Sequence, residues 1–448
     1  MDFKRNIEEN KDLLISVLEK LVSYKTIENK EEGGSIFGIK NKLCLEKYLE
    51  MAKTFGFAVE NLDDYCGYAE YGTGDKTVGV VGHLDVVPTG DNWKTDPFSL
   101  TLKDGYLYGR GTSDDKGAVA ASLIALKIIK DLNIKLNKKV RLIVGCNEET
   151  GSLCMKHYME KEGPFDLGFT PDADFPCING EKGIIHATFT HYKTSIIDIN
   201  GGIATNVVPD KCTLKIKDNS FDIDLFKKYL DENGLSYKIE NNDHILDITV
   251  FGKSSHASLP NEGINEITHT LFALYKANFE DPFVKEYYKI FDLENNRSKL
   301  KINLEDDYSK LTLVNSTIKL ENNKIIGTVD IRVSITIDNK VVIDRLVNID
   351  SKIKFNIDME DSALYYPADS ELVKKLMKAY QDVTHDYEAK PKVIGGGTYA
   401  KSLKNCIAFG CEFVPNKNNI HDANERVSLE ELLKQVELYI HAIIELAS

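Results

Sequence analysis

The chain has 448 residues, 42% hydrophobic and 28% charged, and its 56 basic and 70 acidic side chains give a net charge of −14 at pH 7. The length is roughly three times that of a common domain, which predicts two or three folding units, and the composition excludes disorder, collagen-like repeats and coiled coil. Because phosphate backbones and anionic lipids would repel so acidic a chain, binding to nucleic acid or to a membrane surface is not expected.

The N-terminal segment has the pattern of an amphipathic helix. Its apolar residues recur at helical spacing: Leu13, Leu14, Val17, Leu18, Leu21 and Val22. Acidic residues interrupt the apolar core that a signal peptide would need, and no segment of the chain reaches the roughly 18 apolar residues of a membrane helix. The eight cysteines are spread without a paired C-x-x-C, as in proteins of a reducing compartment. We therefore expect a soluble, cytoplasmic protein.

From residue 77 the patterns alternate between strand and helix. Strands are predicted at 77–83, 140–147 and 167–172, with a helix at 117–132. This alternation favours an α/β fold with a largely parallel central sheet. Further along the chain, helices are predicted at 370–385 and 429–444, with the strand 405–413 between them.

Residues 184–364 have a different pattern, with shorter strands that alternate polar and apolar residues. The strands are HATFTHYKTSIIDI, HILDITVFG, TLVNSTIKL and IIGTVDIRVSI, and a helix is expected near 262–278. This pattern indicates an α+β, mostly antiparallel insertion. We therefore predict a discontinuous catalytic domain, residues 1–183 and 365–448, that holds an inserted lid domain at 184–364.

Five polar clusters lie mostly where predicted strands end. They contain His83 and Asp85, Asp114 and Asp115, Glu148 and Glu149, Asp172, and His421, which we place at the entry to the C-terminal helix. Each cluster alone has an ordinary explanation, such as a core histidine, a helix cap or a surface pair. Open α/β sheets, however, build their sites at the carboxyl ends of strands, and histidines with carboxylates suit zinc or a similar divalent ion. So many ligands exceed the needs of one tetrahedral ion and fit two ions that share a carboxylate and a water.

The order of these motifs resembles the dinuclear-zinc exopeptidase family that contains aminoacylase, glutamate carboxypeptidase, succinyl-diaminopimelate desuccinylase, carnosinase and peptidase V. GHLDVVP, GRGTSDDKG, NEETG, PDADFP with GEKG, and GGGTYA resemble most closely the peptidase V branch of bacterial dipeptidases. The resemblance implies two metal ions per chain, zinc first, with manganese or cobalt as alternatives. By position, it implies the metal ligands His83, Asp114 (the bridge), Glu149, Asp172 and His421. It also implies a cis peptide bond after Asp114.

The resemblance assigns further roles. Asp85 would orient His83, and Glu148 would be the general base, a choice between Glu148 and Glu149 that the residues alone do not decide. In the insertion, it implies that His256 stabilises the oxyanion, that Asn206 binds near the same oxygen and that Arg332 clamps the substrate carboxylate. The glycine loop would approach that carboxylate through Gly396, Gly397 and Thr398. Without the resemblance, these residues would be read as ordinary turn, sheet and loop residues.

The implied reaction is hydrolysis of the peptide bond of unblocked dipeptides by a water that bridges the metal ions and is activated by the Glu base. The alternatives are an N-acyl amino acid deacylase or a desuccinylase with the same centre, and a metal-dependent binding protein that has lost catalysis. The long insertion resembles that of peptidase V, which favours a dipeptidase that works as a monomer. We also expect acidic groups near the metals, Asp115 among them, to receive the substrate ammonium group.

Overall fold

The computed structural model describes residues 2–29, 35–293, 298–416 and 418–448. The α-helices of these residues are α1 (Lys4–Glu9), α2 (Lys11–Val22), α3 (Ile39–Thr54), α4 (Lys116–Asp131), α5 (Leu153–Lys161), α6 (Ile223–Glu232), α7 (Glu266–Lys276), α8 (Pro282–Ile290), α9 (Asn339–Val347), α10 (Glu371–Thr384) and α11 (Leu429–Ala447). Short 3-10 turns form at Pro260–Glu262 and Tyr399–Ser402.

The strands of the described residues are mostly short. They are β1 (Ala58–Leu62), β2 (Cys66–Tyr71), β3 (Thr77–His83), β4 (Thr101–Lys103), β5 (Tyr106–Tyr108), β6 (Lys139–Gly145), β7 (Leu167–Thr170), β8 (Ala173–Asp174), β9 (Ile178–Glu181), β10 (Gly183–His191), β11 (Asp198–Gly201), β12 (Val207–Val208), β13 (Lys211–Lys217), β14 (Ser236–Asn242), β15 (Ile245–Phe251), β16 (Ser255–His256), β17 (Thr312–Glu321), β18 (Lys324–Val333), β19 (Lys354–Asp361), β20 (Leu364–Tyr365), β21 (Lys392–Ile394), β22 (Cys406–Ala408), β23 (Cys411–Glu412) and β24 (Arg426–Ser428).

The first compact unit, called unit 1 below, comprises Met1–Gly180, Tyr366–Lys392 and Gly397–Ser448. Its main sheet has the strand order β1-β2-β6-β3-β7-β22-β9. The four central strands β6, β3, β7 and β22 are parallel, and the outer strands join them antiparallel. Helices α4 and α11 pack against each other and against β3, which is buried from its second residue to its last. The predicted α/β fold with a largely parallel centre is confirmed.

The second unit, called unit 2, comprises Glu181–Tyr365 and Val393–Gly396. Its sheet is antiparallel throughout and has the order β14-β15-β13-β11-β17-β18-β10-β19. Alternate residues of a strand face one side of the sheet, so Cys212, Leu214 and Ile216 of β13 enter the same core. Helix α7 packs on β13 and β17, and its N-cap is Asn265, whose side chain accepts a hydrogen bond from the Thr268 amide. The antiparallel α+β character predicted for the insertion is therefore present.

The chain passes between the units more often than a simple insertion requires. Besides the crossings next to Glu181 and Tyr365, the tetrapeptide Val393–Gly396 belongs to unit 2, whereas the segments on both sides of it belong to unit 1. In unit 2 the amide of Lys182 donates to the carbonyl of Ile394 at 3.0 Å. The glycine run of the GGGTYA motif is thus divided, with its first two glycines in unit 2.

Two predicted strands are broken in the structure. The segment HATFTHYKTSIIDI forms β10 and β11, because Asp281 accepts hydrogen bonds from Thr194 and Ser195 and holds a turn between them. The predicted strand 405–413 forms β22 and β23, because Gly410 has a φ of 81° and interrupts the extended chain. The predicted helices 117–132, 370–385 and 429–444 correspond to α4, α10 and α11.

All eight cysteines are buried. Across the described residues, no helix combines the length and the apolar character that crossing a bilayer needs.

Candidate metal centre

Three neighbouring parallel strands of unit 1 deliver the predicted site residues to one edge of the sheet. His83 is the last residue of β3, Glu148 and Glu149 lie in the turn after β6, and Asp172 follows β7. Because β6, β3 and β7 are adjacent and parallel, their carboxyl ends meet. Possible ligand atoms lie within 4.8 Å of one another in two groups: His83, Asp114 and Glu149, and His83, Glu148 and Asp172.

Asp114 lies between two pairs of predicted metal ligands. Its Oδ1 lies 2.9 Å from Nε2 of His83, which is itself 4.0 Å from Oδ1 of Asp172. Its Oδ2 lies 2.9 Å from Nε2 of His421, which is 3.3 Å from Oε2 of Glu149. Each oxygen of the Asp114 carboxylate thus contacts one histidine, and a further acid lies beside each histidine. This arrangement is expected of a ligand that two cations share.

The peptide bond between Asp114 and Asp115 is cis, as the resemblance implied.

The acids of this cluster are crowded and largely, though not fully, buried. Burial raises the pKa of Glu148 to about 8, and the neighbouring charges of Glu149 and Asp114 add to the effect. Burial and the Asp114 charge also raise the pKa values of Glu149 and Asp172. Such a cluster disfavours its own negative charge, and divalent cations with mixed nitrogen and oxygen ligands would compensate it. The residues present therefore fit a divalent metal centre.

The pKa values of the two histidines, His83 and His421, are raised as well, but for a different reason. Burial lowers the pKa of each, but hydrogen bonds with carboxylates outweigh it and raise the pKa of His83 well above its usual value and that of His421 to about 11. Those same hydrogen bonds lower the pKa of Asp114 against the effect of its burial. A metal ion needs neutral imidazole, so binding at these histidines would release protons.

Asp85 contacts His83 in more than one way. Nδ1 of His83 lies 3.0 Å from the Asp85 carbonyl oxygen and 3.6 Å from its carboxylate. The other carboxylate oxygen accepts a hydrogen bond from the backbone N–H of Glu149 at 3.0 Å. An outer partner of this kind fixes the ring orientation of a metal-binding histidine. These contacts support the predicted orienting role and add a second role, in which Asp85 positions the Glu149 backbone.

Two expectations about individual residues are wrong. Asp115 is fully buried, and its Oδ2 accepts a hydrogen bond from the His83 N–H at 3.1 Å, so it has no surface at which to receive a substrate ammonium group. His421 does not enter the C-terminal helix. It lies in a loop with a φ of 64°, and α11 begins only at Leu429, after β24.

Glu425 is a buried carboxylate that the motifs did not single out. Its Oε1 accepts hydrogen bonds from the N–H groups of Gly111, Ser113 and Asp114 at 2.9 to 3.2 Å. Its Oε2 pairs with Nη1 of Arg110 at 2.7 Å. Glu425 therefore holds the loop that carries Asp114, the residue predicted to bridge the two ions. Glu425 lies in the same motif as His421, NIHDANERV. That proximity in the sequence is the only feature from which its role could have been predicted.

Replacing Glu425 with glutamine should weaken metal binding by about 10–100-fold, the usual effect of losing an outer partner of a ligand. The glutamine amide cannot accept all the hydrogen bonds that the N–H groups of the Asp114 loop donate to Glu425. It also leaves Arg110 without its counter-charge. Titration of the metal-free protein with zinc would measure the loss. Glu430→Gln, an exposed change in the first turn of α11, is the matched control. An unchanged zinc affinity in folded Glu425→Gln would contradict this role.

In unit 2, the predicted residues Asn206 and His256 are neighbours. The Asn206 carbonyl accepts a hydrogen bond from the Ala257 N–H at 2.9 Å, and Val207 pairs with His256 between β12 and β16. Nδ1 of His256 accepts the Ser258 N–H at 3.2 Å and lies 2.7 Å from the Ser258 hydroxyl. Because Nδ1 acts as an acceptor, the neutral ring carries its proton on Nε2.

The remaining predicted residues divide between the units. Arg332 lies on β18 of unit 2, where its Nη1 donates to the Gly395 carbonyl at 2.8 Å, and Gly396 follows in the same unit. Gly397 and Thr398 belong to unit 1, where the Thr398 hydroxyl accepts the amide of the 3-10 turn that follows it. The structure thus gathers the predicted metal ligands, Asp85 and Glu148 in unit 1, and it gathers Asn206, His256 and Arg332 in unit 2.

The chain is similar to known proteins over nearly its whole length. A family model described as peptidase family M20/M25/M40 matches residues 79–445. The Bacillus subtilis (strain 168) protein named "Putative dipeptidase YtjP" is 36% identical over 463 residues, covering 98% of each chain. "Beta-Ala-Xaa dipeptidase" of Lactobacillus delbrueckii subsp. lactis is 30% identical over 469 residues, covering 100% of this chain and 98% of the relative. The crystal structure of human carnosine dipeptidase 1 shares the fold, with a TM-score of 0.60 at 17% identity and coverage of 99% and 98%.

Proposed function

We propose that this chain, which belongs to the peptidase family M20/M25/M40, hydrolyses the peptide bond of unblocked dipeptides. The family predicted from the motifs is confirmed by the family model and by relatives that carry the name dipeptidase. The observation that carries the reaction is Asp114, whose two oxygens each contact a histidine, with an acid beside each histidine. A deacylase or desuccinylase would use the same centre, but the relatives named above favour a dipeptidase.

In this proposal the centre holds two divalent ions, zinc first, with manganese or cobalt as alternatives. His83 and Asp172 would hold one ion, Glu149 and His421 the other, and Asp114 both. Bound there, the ions would polarise the substrate carbonyl and lower the pKa of water.

Glu148 would remove the proton of the attacking water and pass it to the leaving amine. Its burial supports this role, because a raised pKa makes a carboxylate a stronger base.

Unit 2 would supply the groups that recognise the substrate. His256 carries its proton on Nε2, and this N–H would donate a hydrogen bond to the oxyanion. Asn206, its neighbour, would bind the same oxygen. Arg332 would hold the substrate carboxylate, together with the N–H groups of Gly396, Gly397 and Thr398.

We further propose that the enzyme is a monomer, as the long insertion indicates. We also propose that it is cytoplasmic, since eight cysteines that are spread along the chain without a paired C-x-x-C are typical of a reducing compartment.

The test is a hydrolysis panel of free dipeptides, tripeptides, N-acetylated dipeptides and N-acyl amino acids, run with zinc and with manganese. Free dipeptides should be the best substrates. A chelator should abolish hydrolysis, added metal should restore it, and the metal content should be two ions per chain. Faster hydrolysis of N-acyl amino acids would replace the dipeptidase by a deacylase. Full activity with a single bound ion would refute the shared role of Asp114.

A further inference from the structure

Asp330 and Arg332 form a buried ion pair in unit 2. Both lie on β18, two residues apart, so their side chains leave the strand on the same face. Nε of Arg332 donates to Oδ1 of Asp330 at 2.7 Å, and Nη2 donates to Oδ2 at 2.8 Å. Asp330 is 0% exposed and Arg332 4%. A buried pair needs good geometry to offset the loss of hydration, and two parallel hydrogen bonds provide it.

A third residue holds the carboxylate from the neighbouring strand. His186 on β10 is the direct cross-strand partner of Asp330, and its Nε2 lies 3.1 Å from Oδ2 of Asp330. Burial raises the pKa of Asp330, but the hydrogen bonds from His186 and Arg332 outweigh it and lower the pKa below its usual value. The carboxylate therefore stays ionised, and two neighbours fix its orientation.

The guanidinium is also held from a second direction. Its Nη1 donates to the carbonyl of Gly395, in the tetrapeptide that unit 2 takes from the glycine run. These three hydrogen bonds use three of the five N–H donors of the guanidinium. Among the described contacts this leaves one N–H on Nη1 and one on Nη2 for hydrogen bonds with a substrate carboxylate.

We propose that Asp330 is a positioning residue that aims Arg332 at the carboxylate of the substrate and so selects dipeptides with a free C-terminus. The inference rests on the proposed function and adds to it the residue that gives the clamp its direction. An ion pair that only stabilised the fold would affect all substrates alike, whereas a positioning pair affects only those with a free carboxylate.

The test compares a free dipeptide with its C-terminal amide in the variant Asp330→Asn. Asparagine keeps the size but offers a single acceptor, so the guanidinium loses one of its two guiding bonds. We expect KM for the free dipeptide to rise about tenfold, the effect of misaligning one charge-assisted hydrogen bond, with little change in kcat. KM for the amide should stay the same. An equal rise for both substrates, no rise, or a lower KM for the free dipeptide would overturn the inference.

Two further variants complete the experiment. Asp358→Asn is the matched control, because this exposed aspartate on β19 bonds only to neighbouring side chains of the sheet surface in the described contacts. His186→Ala removes one bond to Asp330 but leaves the buried pair intact, so it serves if Asp330→Asn does not fold. It should raise KM about two- to fivefold, again for the free dipeptide alone, and an equal effect on the amide would overturn the inference.

Measurements on the wild-type enzyme distinguish a failure of the proposed function from a failure of the inference about Asp330. If it cleaves no dipeptide, the proposed function and the inference fail together. If it cleaves free dipeptides and the variants keep its preference over the amide, only the inference fails.

Discussion

Replacing Glu148 with alanine should lower kcat by about 10²–10⁴-fold, the range for a lost general base, while the metal content stays near that of the wild type. The reason lies in the neighbouring pair of acids. Glu149, the second of the two, contacts His421 at 3.3 Å, and in the proposal it is a metal ligand. Glu148 lies in the group with His83 and Asp172, and burial raises its pKa to about 8. The raised pKa suits Glu148 to the proposed role of accepting a proton.

The measurement pairs kcat with metal content by atomic emission on the same protein sample. Glu160→Ala makes the same chemical change on the exposed surface of α5 and should have no effect. If the Glu148 variant loses metal in proportion to activity, then Glu148 is a ligand and Glu149 the base.

The pH profile gives a second measure of the same role. A general base must be ionised, so wild-type kcat should fall as the pH drops through the pKa of Glu148. Burial raises that pKa and shifts the acidic limb to higher pH, whereas bound cations shift it back. The residual activity of Glu148→Ala should lack this limb.

Replacing Asp114 with asparagine should have the largest effect, with a loss of activity of more than about 10⁴-fold. The expected reason is that each oxygen of Asp114 serves one half of the centre, at 2.9 Å from His83 and at 2.9 Å from His421. A neutral amide cannot bridge two cations, and each cation contributes several kcal/mol to transition-state stabilisation. The metal content should fall from two ions per chain to one or fewer.

The metal-free form of this variant should remain folded, because the change removes one negative charge from a crowded cluster of acids. Thermal unfolding of the metal-free proteins would show this. Asp131→Asn, at the other end of α4, removes only an exposed i,i+4 pair with Lys127 and is the matched control. Two retained ions with less than a tenfold loss of activity would contradict the bridging role.

The parts of the fold that the sequence predicts well are those with a continuous pattern. The run TVGVVGH is apolar over its whole length, and it forms β3 in the centre of the sheet. The Ala- and Leu-rich segment that follows forms α4, which is buried along nearly all of its length. Strand ends follow from these patterns, so the meeting of His83, Glu149 and Asp172 could be expected. Their roles, and that of Asp114, came from the resemblance and stay predictions.

The features that the sequence did not predict depend on conformation or on long-range contacts. Gly410 lies in an otherwise apolar run, and no residue pattern reveals that its φ is positive. His421 is separated from α11 by β24, whose pairing partner β5 lies far earlier in the chain. Glu425 binds backbone N–H groups, which leave no pattern in the sequence. Asp114 and Asp115 are adjacent residues of the same type, so the sequence does not show that their side chains point in different directions.

The division of the glycine run between the two units affects how unit 2 can be exchanged between related proteins. A chimaera that exchanges only Glu181–Tyr365 with a relative would leave Val393–Gly396 behind, since that tetrapeptide belongs to unit 2. The grafted module would then meet a foreign carbonyl at Ile394 and at Gly395, where Lys182 and Arg332 donate their hydrogen bonds. A transferable cassette therefore consists of two stretches of chain, and the shorter one has to come from the same parent as the longer one.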